Sequence, residues 1–561
     1  MVITSRFSVN DMRELIQYCA DFYRENENET SSQRVLENRA SLSALAEAFH
    51  KECGTLTTSV ERRIEDLRKG TALVLMTAHQ PNLFAYAGVL RKATLNFVLA
   101  RKLEEMLKVP VVNFFGIADQ DFADERWVKS ALLPDVERRD GVLEIRHELP
   151  EKLVLNRVAR PSRQVLVNWH KEIENWLNRK LNSLGQFLKS FQFDVHVDDK
   201  VLRQNLDEFW EIVEEAYVRA RCFSDFNGFV MSRVVNQAWD YDTLFCRFSE
   251  CEQIFERELC SLLSRFEEYS RCVKEVITQS AGVQGGVYKH ECDTIPFWYH
   301  CDCGSKARLL AEQQDQSLFG HGNCLNCGKE YDIDLGSRQK PHVSDILPKI
   351  SARSIAMPLI FFDGLTVCCY VGGVGGAEYL RQANYVAENM GMAFPPVAIW
   401  RPKDVYDGVG QLEALLTFRN FSGTFDLSHY QNVKRGLEDK IMQVTKDIEK
   451  LESYKNNLAN SVESRNKEMI QQLKAASIRQ NEIRRMAKFP LLERNLRLLE
   501  NVLAVANLHP CIIDYAVNIG LRETSNQWVT FLNTNGNLFE NLTLETDLPS
   551  INNLILDPKN P

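Results

Sequence analysis

The order of apolar and polar positions along the chain predicts an alternation of helices and buried strands. Residues 1–70 are polar and have helical spacing, so they predict an N-terminal helical segment. A short apolar run then begins at Ala72 and leads into the polar sequence Thr77-Ala-His79-Gln80-Pro-Asn. An apolar run of this length that ends in a turn signal is typical of a buried strand entering a loop.

A second strand is predicted after one helix. From Val89 to Leu107 apolar residues recur every three or four positions, and Pro110 separates this helix from the apolar run 111–118. A strand, a helix and a parallel strand form a βαβ unit, whose right-handed crossover brings both strand ends to one edge of the sheet. Ligands of open α/β sheets bind outside these carboxyl ends. The first candidate site residues are therefore His79, Gln80, Asp119 and Asp121.

Further strands are expected in the second half of the chain. Residues 151–285 are mostly helical in pattern and rich in aromatic side chains, which favours an insertion that interrupts the sheet. Strand character returns at 355–362 and 365–371. A glycine-rich turn then leads into a helix predicted over about 377–390, and residues 397–400 would add another strand.

A long helical region is predicted toward the C-terminus, because hydrophobic residues recur there at alternating steps of four and three. The first such set, which includes two basic residues, is Leu437, Ile441, Val444, Ile448, Leu451, Lys455, Leu458, Val462, Arg465 and Met469. The second set, after Pro490, is Leu492, Leu496, Leu499 and Leu503. The two segments could fold back on each other as an antiparallel hairpin or pair with another subunit in a homodimer, and the spacing fits both arrangements.

Two closely spaced cysteine pairs, each followed by glycine, form the most specific local motif: Cys301 with Cys303, and Cys324 with Cys327. Four thiolates in two such turns suit one tetrahedral Zn²⁺, and the glycines relieve crowding where the backbone turns around the metal. Four sulfurs leave no open coordination position, so the expected zinc is structural. Unrelated free thiols are the alternative. Residues that lie near and could replace one thiolate are His290, Cys292, His300 and His321.

Together these patterns predict an α/β protein with a parallel-sheet core, a helical insertion, a zinc ribbon and a long C-terminal α-helical coiled coil. The expected division of the chain is a helical segment 1–70, the first part of the core 71–150, a helical connecting insertion 151–285, a zinc-ribbon insertion 286–340, the second part of the core 341–429, the coiled coil 430–508 and a C-terminal segment 509–561.

The composition narrows the function classes. Lys and Arg number 67 against 76 Asp and Glu, and the net charge of −9 gives no general field for binding nucleic acid. Fifteen cysteines, an odd and small number for 561 residues, fit reduced thiols better than a disulfide scaffold. The sequence shows neither a signal-peptide pattern nor an uninterrupted apolar run of about 18 residues, so we expect a cytoplasmic protein without a membrane partner.

The glycine-rich turn, Tyr370-Val-Gly-Gly-Val-Gly-Gly-Ala-Glu378, could bring backbone N–H groups to an anion next to the positive end of a helix dipole. It lacks the Lys and Ser/Thr of a Walker loop, and a tight packing turn is the alternative. The other candidates also have plain alternatives. His79 could be a hydrogen-bonded loop residue, Asp119 and Asp121 could cap the next helix, and Lys92 could be solvated.

Three separated blocks are jointly recognisable: His79-Gln-Pro-Asn-Leu-Phe with Lys92 downstream, Val-Val-Asn-Phe-Phe-Gly-Ile-Ala-Asp119-Gln-Asp121-Phe, and Tyr370-Val-Gly-Gly-Val-Gly-Gly-Ala-Glu378. In this order they resemble the cysteine ligase family of bacillithiol biosynthesis, BshC. The resemblance covers roughly 70–400 and continues into the helical region. It implies a Rossmann-like core with a connecting insertion and a long coiled coil. The second block lacks the histidine usual in the family, and the cysteine pairs are not a usual family feature.

The resemblance implies a ligase that joins the carboxyl group of cysteine, or of a similar amino acid, to the amine of an amino-sugar acceptor such as glucosaminyl-malate. His79 and Gln80 would lie at the reaction centre, and Asp119 and Asp121 would hold an amine or hydroxyl groups. The carboxyl group would be activated by ATP or another nucleotide, or enter as a thioester. The implied substrate-binding residues are Lys92, Arg353, Tyr370, Gly372, Gly373, Gly375, Gly376 and Glu378.

Two other functions fit part of the pattern. A zinc ribbon and a coiled coil could form a non-catalytic module that binds nucleic acid or protein, with the basic cluster Arg479, Arg484, Arg485 and Lys488. A distant class I aminoacyl-tRNA synthetase would also have a histidine after its first strand and a zinc-binding insertion. The chain lacks the Lys-Met-Ser-Lys-Ser loop of those enzymes.

Overall fold

The computed structural model of the protein describes residues 9, 11–123, 125–138, 140–190, 197–280, 292–314, 316–401, 404–423, 426–460, 467–486 and 489–548. Strands in these ranges are β1 Leu73–His79, β2 Val111–Ile117, β3 Ser130–Pro134, β4 Val142–Arg146, β5 Leu244–Arg247, β6 Thr294–His300, β7 Lys306–Gln314, β8 Ser317–Cys324, β9 Glu330–Ser337, β10 Lys340–Pro341, β11 Ile350–Ala352, β12 Val367–Gly372, β13 Val397–Ile399, β14 Asp404–Val405 and β15 Leu542–Thr543.

The α-helices in the same ranges are α1 Met12–Glu25, α2 Glu27–Thr30, α3 Gln33–Cys53, α4 Thr58–Arg68, α5 Ala87–Leu107, α6 Arg126–Lys129, α7 Arg163–Ser190, α8 Asp199–Arg219, α9 Phe223–Arg233, α10 Phe248–Cys251, α11 Glu256–Ser264, α12 Phe266–Gln279, α13 Ala356–Leu365, α14 Ala377–Asn389, α15 Leu412–Ser422, α16 Tyr430–Ala459, α17 Lys467–Met486, α18 Phe489–Asn507, α19 Ile512–Ile519 and α20 Leu521–Thr534. Among these helices none has the length and apolar character that crossing a membrane requires.

A parallel sheet of five strands lies at the centre, in the order β13-β12-β1-β2-β5. The unit β1-α5-β2 is the predicted βαβ unit, with β1 and β2 paired in register. Alternate residues of β1 face two different cores, so that Leu75 packs on one side of the sheet and Met76 on the other. Because both faces are covered by helices, the strand is a continuous apolar run instead of an alternating one.

Two hydrophobic cores flank the sheet. On one side lie side chains of α1, α5, α7, α8, α9, α19 and α20. On the other side lie α3, α4, α11, α12, α13 and α14, together with a second sheet. That sheet is antiparallel, has the order β10-β9-β8-β7-β6-β11, and enters the second core through Ile295 and Phe297. It extends past the predicted boundary at residue 340, because β11 pairs with β6.

Two expectations for the sheet require correction. Residues 355–362 were expected to form a strand, but Ile355 caps helix α13 and the rest lie in that helix, which is buried nearly all round. A short apolar run does not distinguish a buried strand from a buried helix, and Pro358 is tolerated because it lies in the first turn. The mostly helical stretch 151–285 also contains a core strand, because β5 pairs with β2 at the edge of the parallel sheet.

Helices α16 and α17 form an antiparallel hairpin within one chain. Gln480 on α17 donates to Glu452 Oε2 at 2.6 Å and accepts from Lys455 Nζ at 3.3 Å. The heptad positions of α16 are its less exposed positions, with Leu437 and Ile448 buried. This hairpin is not the predicted pairing of the two heptad sets. The first set does not continue as one helix, because α16 ends at Ala459 and Met469 lies in α17. The second set lies in α18, which shares a hydrophobic core with α16 through Leu437, Leu498 and Leu499. Val462 and Arg465 lie outside the described residues, as does Lys488 of the basic cluster.

Candidate active site and metal centre

The segments that follow β12, β1 and β2 lie side by side at the carboxyl edge of the parallel sheet. Thr77 pairs with Val371, and His79 pairs with Ile117. The glycine-rich turn therefore begins next to the end of β1, and the Asp119–Asp121 loop begins on its other side. These are the three predicted segments, and neighbouring parallel strands bring them to one edge.

His79 ends β1 as a half-buried, neutral imidazole. Its Nδ1 lies 3.0 Å from the carbonyl oxygen of Gln80, so Nδ1 carries the proton, and the Tyr86 hydroxyl lies 3.4 Å from Nε2. Burial, with the positive charge of Lys92 as a smaller cause, lowers the pKa of His79 to about 3. The imidazole thus offers an unprotonated Nε2 at neutral pH. The buried amide of Asn82 lies beside it.

Lys92 is buried, not solvated. Its Nζ donates to the carbonyl oxygen of Ala78 at 2.7 Å, directly behind the end of β1. Burial lowers the pKa of Lys92 to about 7. The ammonium group therefore supports the strand end and influences the charge of His79 from inside the protein.

Asp119 and Asp121 have different environments. Asp119 is fully buried, and its carboxylate accepts from the amide and hydroxyl of Ser249 at 2.9 and 2.5 Å. Burial raises the pKa of Asp119 to about 6, against the opposing effect of these bonds. The side chain of Asp121 is 43% exposed and accepts from Gln80 Nε2 at 3.3 Å. Asp119 therefore ties β2 to the segment after β5, and Asp121 is the carboxylate of the two that solvent reaches.

The glycine-rich turn leaves its backbone open. A Cβ added at Gly373 or Gly375 would meet no atom within 4 Å, and neither residue has a positive φ. Packing and backbone strain therefore do not require glycine at these two positions, which disfavours the packing-turn alternative. Gly376 is the N-cap of α14, whose dipole points its positive end at the turn.

The residues on either side of the turn are tied down. Tyr370 is buried and hydrogen-bonded to Tyr379, and burial raises its pKa to about 12. Glu378 is buried and forms an ion pair with Arg381. Gly372 lies at the buried end of β12, so the open part of the turn is confined to the residues after it.

The antiparallel sheet adds residues that the sequence did not single out. Lys306 is buried, and its Nζ lies 3.6 Å from Asp121 Oδ1 and 5.1 Å from the ring centroid of Trp298. Arg353, predicted as a substrate-binding residue, is buried with its guanidinium carbon 3.9 Å from the centroid of the same ring. No local pattern marks Lys306, because residues 306 and 121 meet only through the packing of two sheets.

A buried carboxylate, that of Glu252, lies near Lys306. Glu252 accepts from Gln120 Nε2 and from the amide of Ala352, both at 2.9 Å. Burial raises the pKa of Glu252 well above its ordinary value, with Lys306 acting in the opposite direction. Glu252 thus connects the loop after β2 with the end of β11.

The four predicted cysteines converge. Their sulfur atoms all lie within 4.8 Å of one another, with Cys301 Sγ 3.6 Å from Cys327 Sγ and Cys303 Sγ 3.5 Å from Cys324 Sγ. A tetrahedral Zn²⁺ with bonds of about 2.3 Å separates its sulfurs by about 3.8 Å, close to these distances. The cluster could therefore hold a metal ion such as zinc.

The backbone of the two cysteine turns favours thiolates. Although burial acts to raise it, the amides of Cys327 and Asn326 lower the pKa of Cys324 to about 6. Gly304 and Gly328 have φ of +85° and +74°, which is the left-handed region that glycine adopts at little cost. The glycines therefore serve the tight turns that the sequence predicts.

The alternative metal ligands are used elsewhere or lie outside the described residues. His300 Nε2 lies 2.8 Å from Ser351 Oγ, and the ring of His321 lies between Glu312 and Asp332. Neither histidine belongs to the sulfur cluster, nor does Cys292. His290 is outside the described residues.

Fold and site together define a mixed α/β protein with a five-stranded parallel sheet, polar residues at its carboxyl edge and a four-cysteine cluster beside that edge. No family model matches the chain, and no curated protein matches it.

Proposed function

We propose that the protein is a BshC-like ligase, which forms an amide between the carboxyl group of cysteine or a similar amino acid and the amine of an amino-sugar acceptor. The observation that carries the proposal is the meeting of three strand ends. Gln80, Asp121 and the open glycine-rich turn lie at one edge, next to a neutral His79. Amide formation needs an amine that is held and deprotonated near an activated carboxyl group.

The roles of individual groups follow from their environments. Asp121, the carboxylate that solvent reaches, would hold the ammonium group of the acceptor and take up the proton that this group loses before the amine attacks the carbonyl carbon. His79 Nε2 carries no proton and would accept a hydrogen bond from that amine. With a pKa of about 3 the imidazole is a weak base in the free protein, so we assign it orientation of the amine before proton transfer.

The glycine-rich turn would receive the negative charge of the other substrate. Val374 and Gly375, the exposed residues of the turn just before α14, suit a carboxylate or the phosphate oxygens of a nucleotide near the positive end of the helix dipole. As the amine nitrogen bonds to the carbonyl carbon, the bond from that carbon to a leaving group breaks. The leaving group would be phosphate or AMP if ATP activates the carboxyl group, or a thiol if the carboxyl group enters as a thioester. The two candidate sources of activation therefore predict different requirements in the assay.

We further propose that the four-cysteine cluster binds one zinc as a structural centre, in a zinc ribbon built on β6 to β9. Four sulfur ligands would fill a tetrahedral site and leave no place for a substrate. We also infer that α16 and α17 form an antiparallel coiled coil, because the heptad positions of α16 are its less exposed positions. Reduced cysteines fit a cytoplasmic location.

The test is a product assay by mass spectrometry. The purified full-length chain is incubated with cysteine and a panel of amino sugars, including glucosaminyl-malate, with ATP in one arm and a cysteine thioester without ATP in the other. We expect a product heavier than the acceptor by one cysteinyl residue in one arm, and its loss in Asp121→Asn. Absence of a product in both arms, with no thermal shift caused by cysteine or ATP, would rule the ligase out.

A further inference from the structure

A short backbone segment, 154–156, joins the cysteine cluster to the candidate active site. The amide of Val154 donates to the carbonyl oxygen of Gly304, in the first cysteine turn, at 2.9 Å. The amides of the next two residues donate to the carbonyl oxygens of Asp121 and Asp119, also at 2.9 Å. Three consecutive residues therefore bond to the first cysteine turn on one side and to the aspartate loop on the other.

Lys306 makes a second connection between the same two places. It follows Cys303 by three residues, and its carbonyl oxygen accepts from the amide of Leu325, next to Cys324, at 2.9 Å. Its buried Nζ lies 3.6 Å from Asp121 Oδ1. The backbone of Lys306 thus bonds to the second cysteine turn, and its ammonium group lies next to Asp121 in the candidate active site.

The surroundings of Lys306 leave its ammonium group little freedom. The rings of Phe122 and Trp298 lie 4.6 and 5.1 Å from Nζ. Charged groups that act on it include the carboxylates of Asp121 and Glu252 and the guanidinium of Arg353. A buried ammonium needs a partner, so Asp121 is held where Lys306 lies.

We propose that a metal bound by the four cysteines fixes the geometry of the candidate active site, and that Lys306 is the positioning residue that holds Asp121. Without a metal the four sulfurs have no common bond and thiolates repel one another, so the two cysteine turns lose their closure. The carbonyls of Gly304 and Lys306 lie in or beside these turns. The consequence for turnover rests on the proposed ligase function, whereas the physical connection does not.

Hydrogen exchange tests the connection without any assay of activity. The full-length chain, loaded with zinc, is compared with the same chain after a zinc chelator, and peptides are followed by mass spectrometry. We expect exchange across 150–158 and 117–123 to become at least tenfold faster without metal, while α3 stays unchanged. Unchanged exchange in these two peptides, in a chain that has lost its zinc, would overturn the proposal.

Variants of one lysine separate positioning from support of the metal. Lys306→Met should keep one zinc per chain and still speed the exchange of 117–123, and Lys306→Arg should largely restore protection. Lys340→Met, which removes an exposed lysine from the same sheet, is the matched control and should change nothing. If Lys306→Met leaves 117–123 as protected as in the parent chain, Lys306 does not hold Asp121.

Turnover adds a kinetic signature where the ligase assay yields a product. Lys306→Met should raise KM for the amine about 10- to 100-fold and change kcat less, because it displaces the carboxylate that binds the ammonium group. A fall in kcat with unchanged KM would contradict this role. If the parent chain forms no product in either arm and neither cysteine nor ATP causes a thermal shift, the ligase proposal fails, and hydrogen exchange alone decides the connection.

Discussion

At the scale of single residues, His79 shows how burial decides the chemistry open to a side chain. Its Nδ1 donates to its neighbour's carbonyl and its Nε2 faces the Tyr86 hydroxyl. We expect His79→Ala to lower ligase turnover about 10²-fold, because the amine loses the hydrogen-bond acceptor that orients it. Thermal melting should change little, since a half-buried strand-end residue contributes little to either core. Tyr86→Phe is the control and should have a smaller effect on turnover.

His50 gives a prediction for acid stability. It is fully buried, its Nε2 accepts from the amide of Phe245 at 3.0 Å, and burial lowers its pKa to about 3. The unfolded chain binds this proton near pH 6.5, so the free energy of unfolding should fall between about pH 6.5 and 3, by up to about 1.4 kcal/mol per pH unit from this residue. Urea unfolding from pH 7 to 4 measures the slope. His50→Gln should flatten it, and an identical slope would contradict the assignment.

Residues of the candidate site were predictable where a polar side chain comes directly after a predicted strand. His79, Gln80 and Asp121 could be named because each directly follows an apolar run that enters a parallel sheet. The different environments of Asp119 and Asp121 could not be predicted, because Ser249, which donates hydrogen bonds to the Asp119 carboxylate, lies 130 residues away in the sequence. Lys306 was missed for the same reason, since the local sequence does not show which residues of the two sheets pack against each other.

At the scale of elements, the cysteine turns give the sharpest expectation. Metal analysis of the purified chain should return about one zinc, and Cys324→Ser with Cys327→Ser should lose it, because two thiolates cannot replace four. Cys222→Ser with Cys260→Ser removes two cysteines outside the cluster and should keep the metal. Metal retained at full stoichiometry in the first variant would mean that other residues bind it.

The type of an element was predictable where the length of the segment and the period of its hydrophobic pattern indicated the same structure. The helix α5 and the strands β1 and β2 have long, clear patterns, and the structure contains them. In contrast, α13 is apolar on all sides, so its sequence lacks the period that marks a surface helix. Strand β5 has four residues between helices, too few to show a period of its own.

At the scale of the whole molecule, the end of the chain completes the first core. Trp528 on α20 is fully buried. The indole N–H of Trp239 donates to the carbonyl oxygen of Leu521 at 2.8 Å, and the amide of Ile512 donates to the carbonyl oxygen of Ala85 at 2.9 Å. A chain that stops after residue 508 should therefore be insoluble, because the lost burial exceeds a typical stability of about 5–15 kcal/mol. Soluble expression and circular dichroism melting are the measurements. A soluble product with cooperative melting would show that α19 and α20 are dispensable.

The order of strands in the central sheet also determines when each strand can pair with its neighbours during translation. β1 lies between β2, made soon after it, and β12, which begins at Val367. At about 5–20 residues per second, the roughly 290 residues between His79 and Val367 take about 15–60 s to translate. For that interval one side of β1 has no backbone partner, and the nascent polypeptide on the ribosome presents an open, apolar strand edge. Chaperone occupancy of ribosome-bound intermediates should therefore be highest before residue 372 emerges from the exit tunnel.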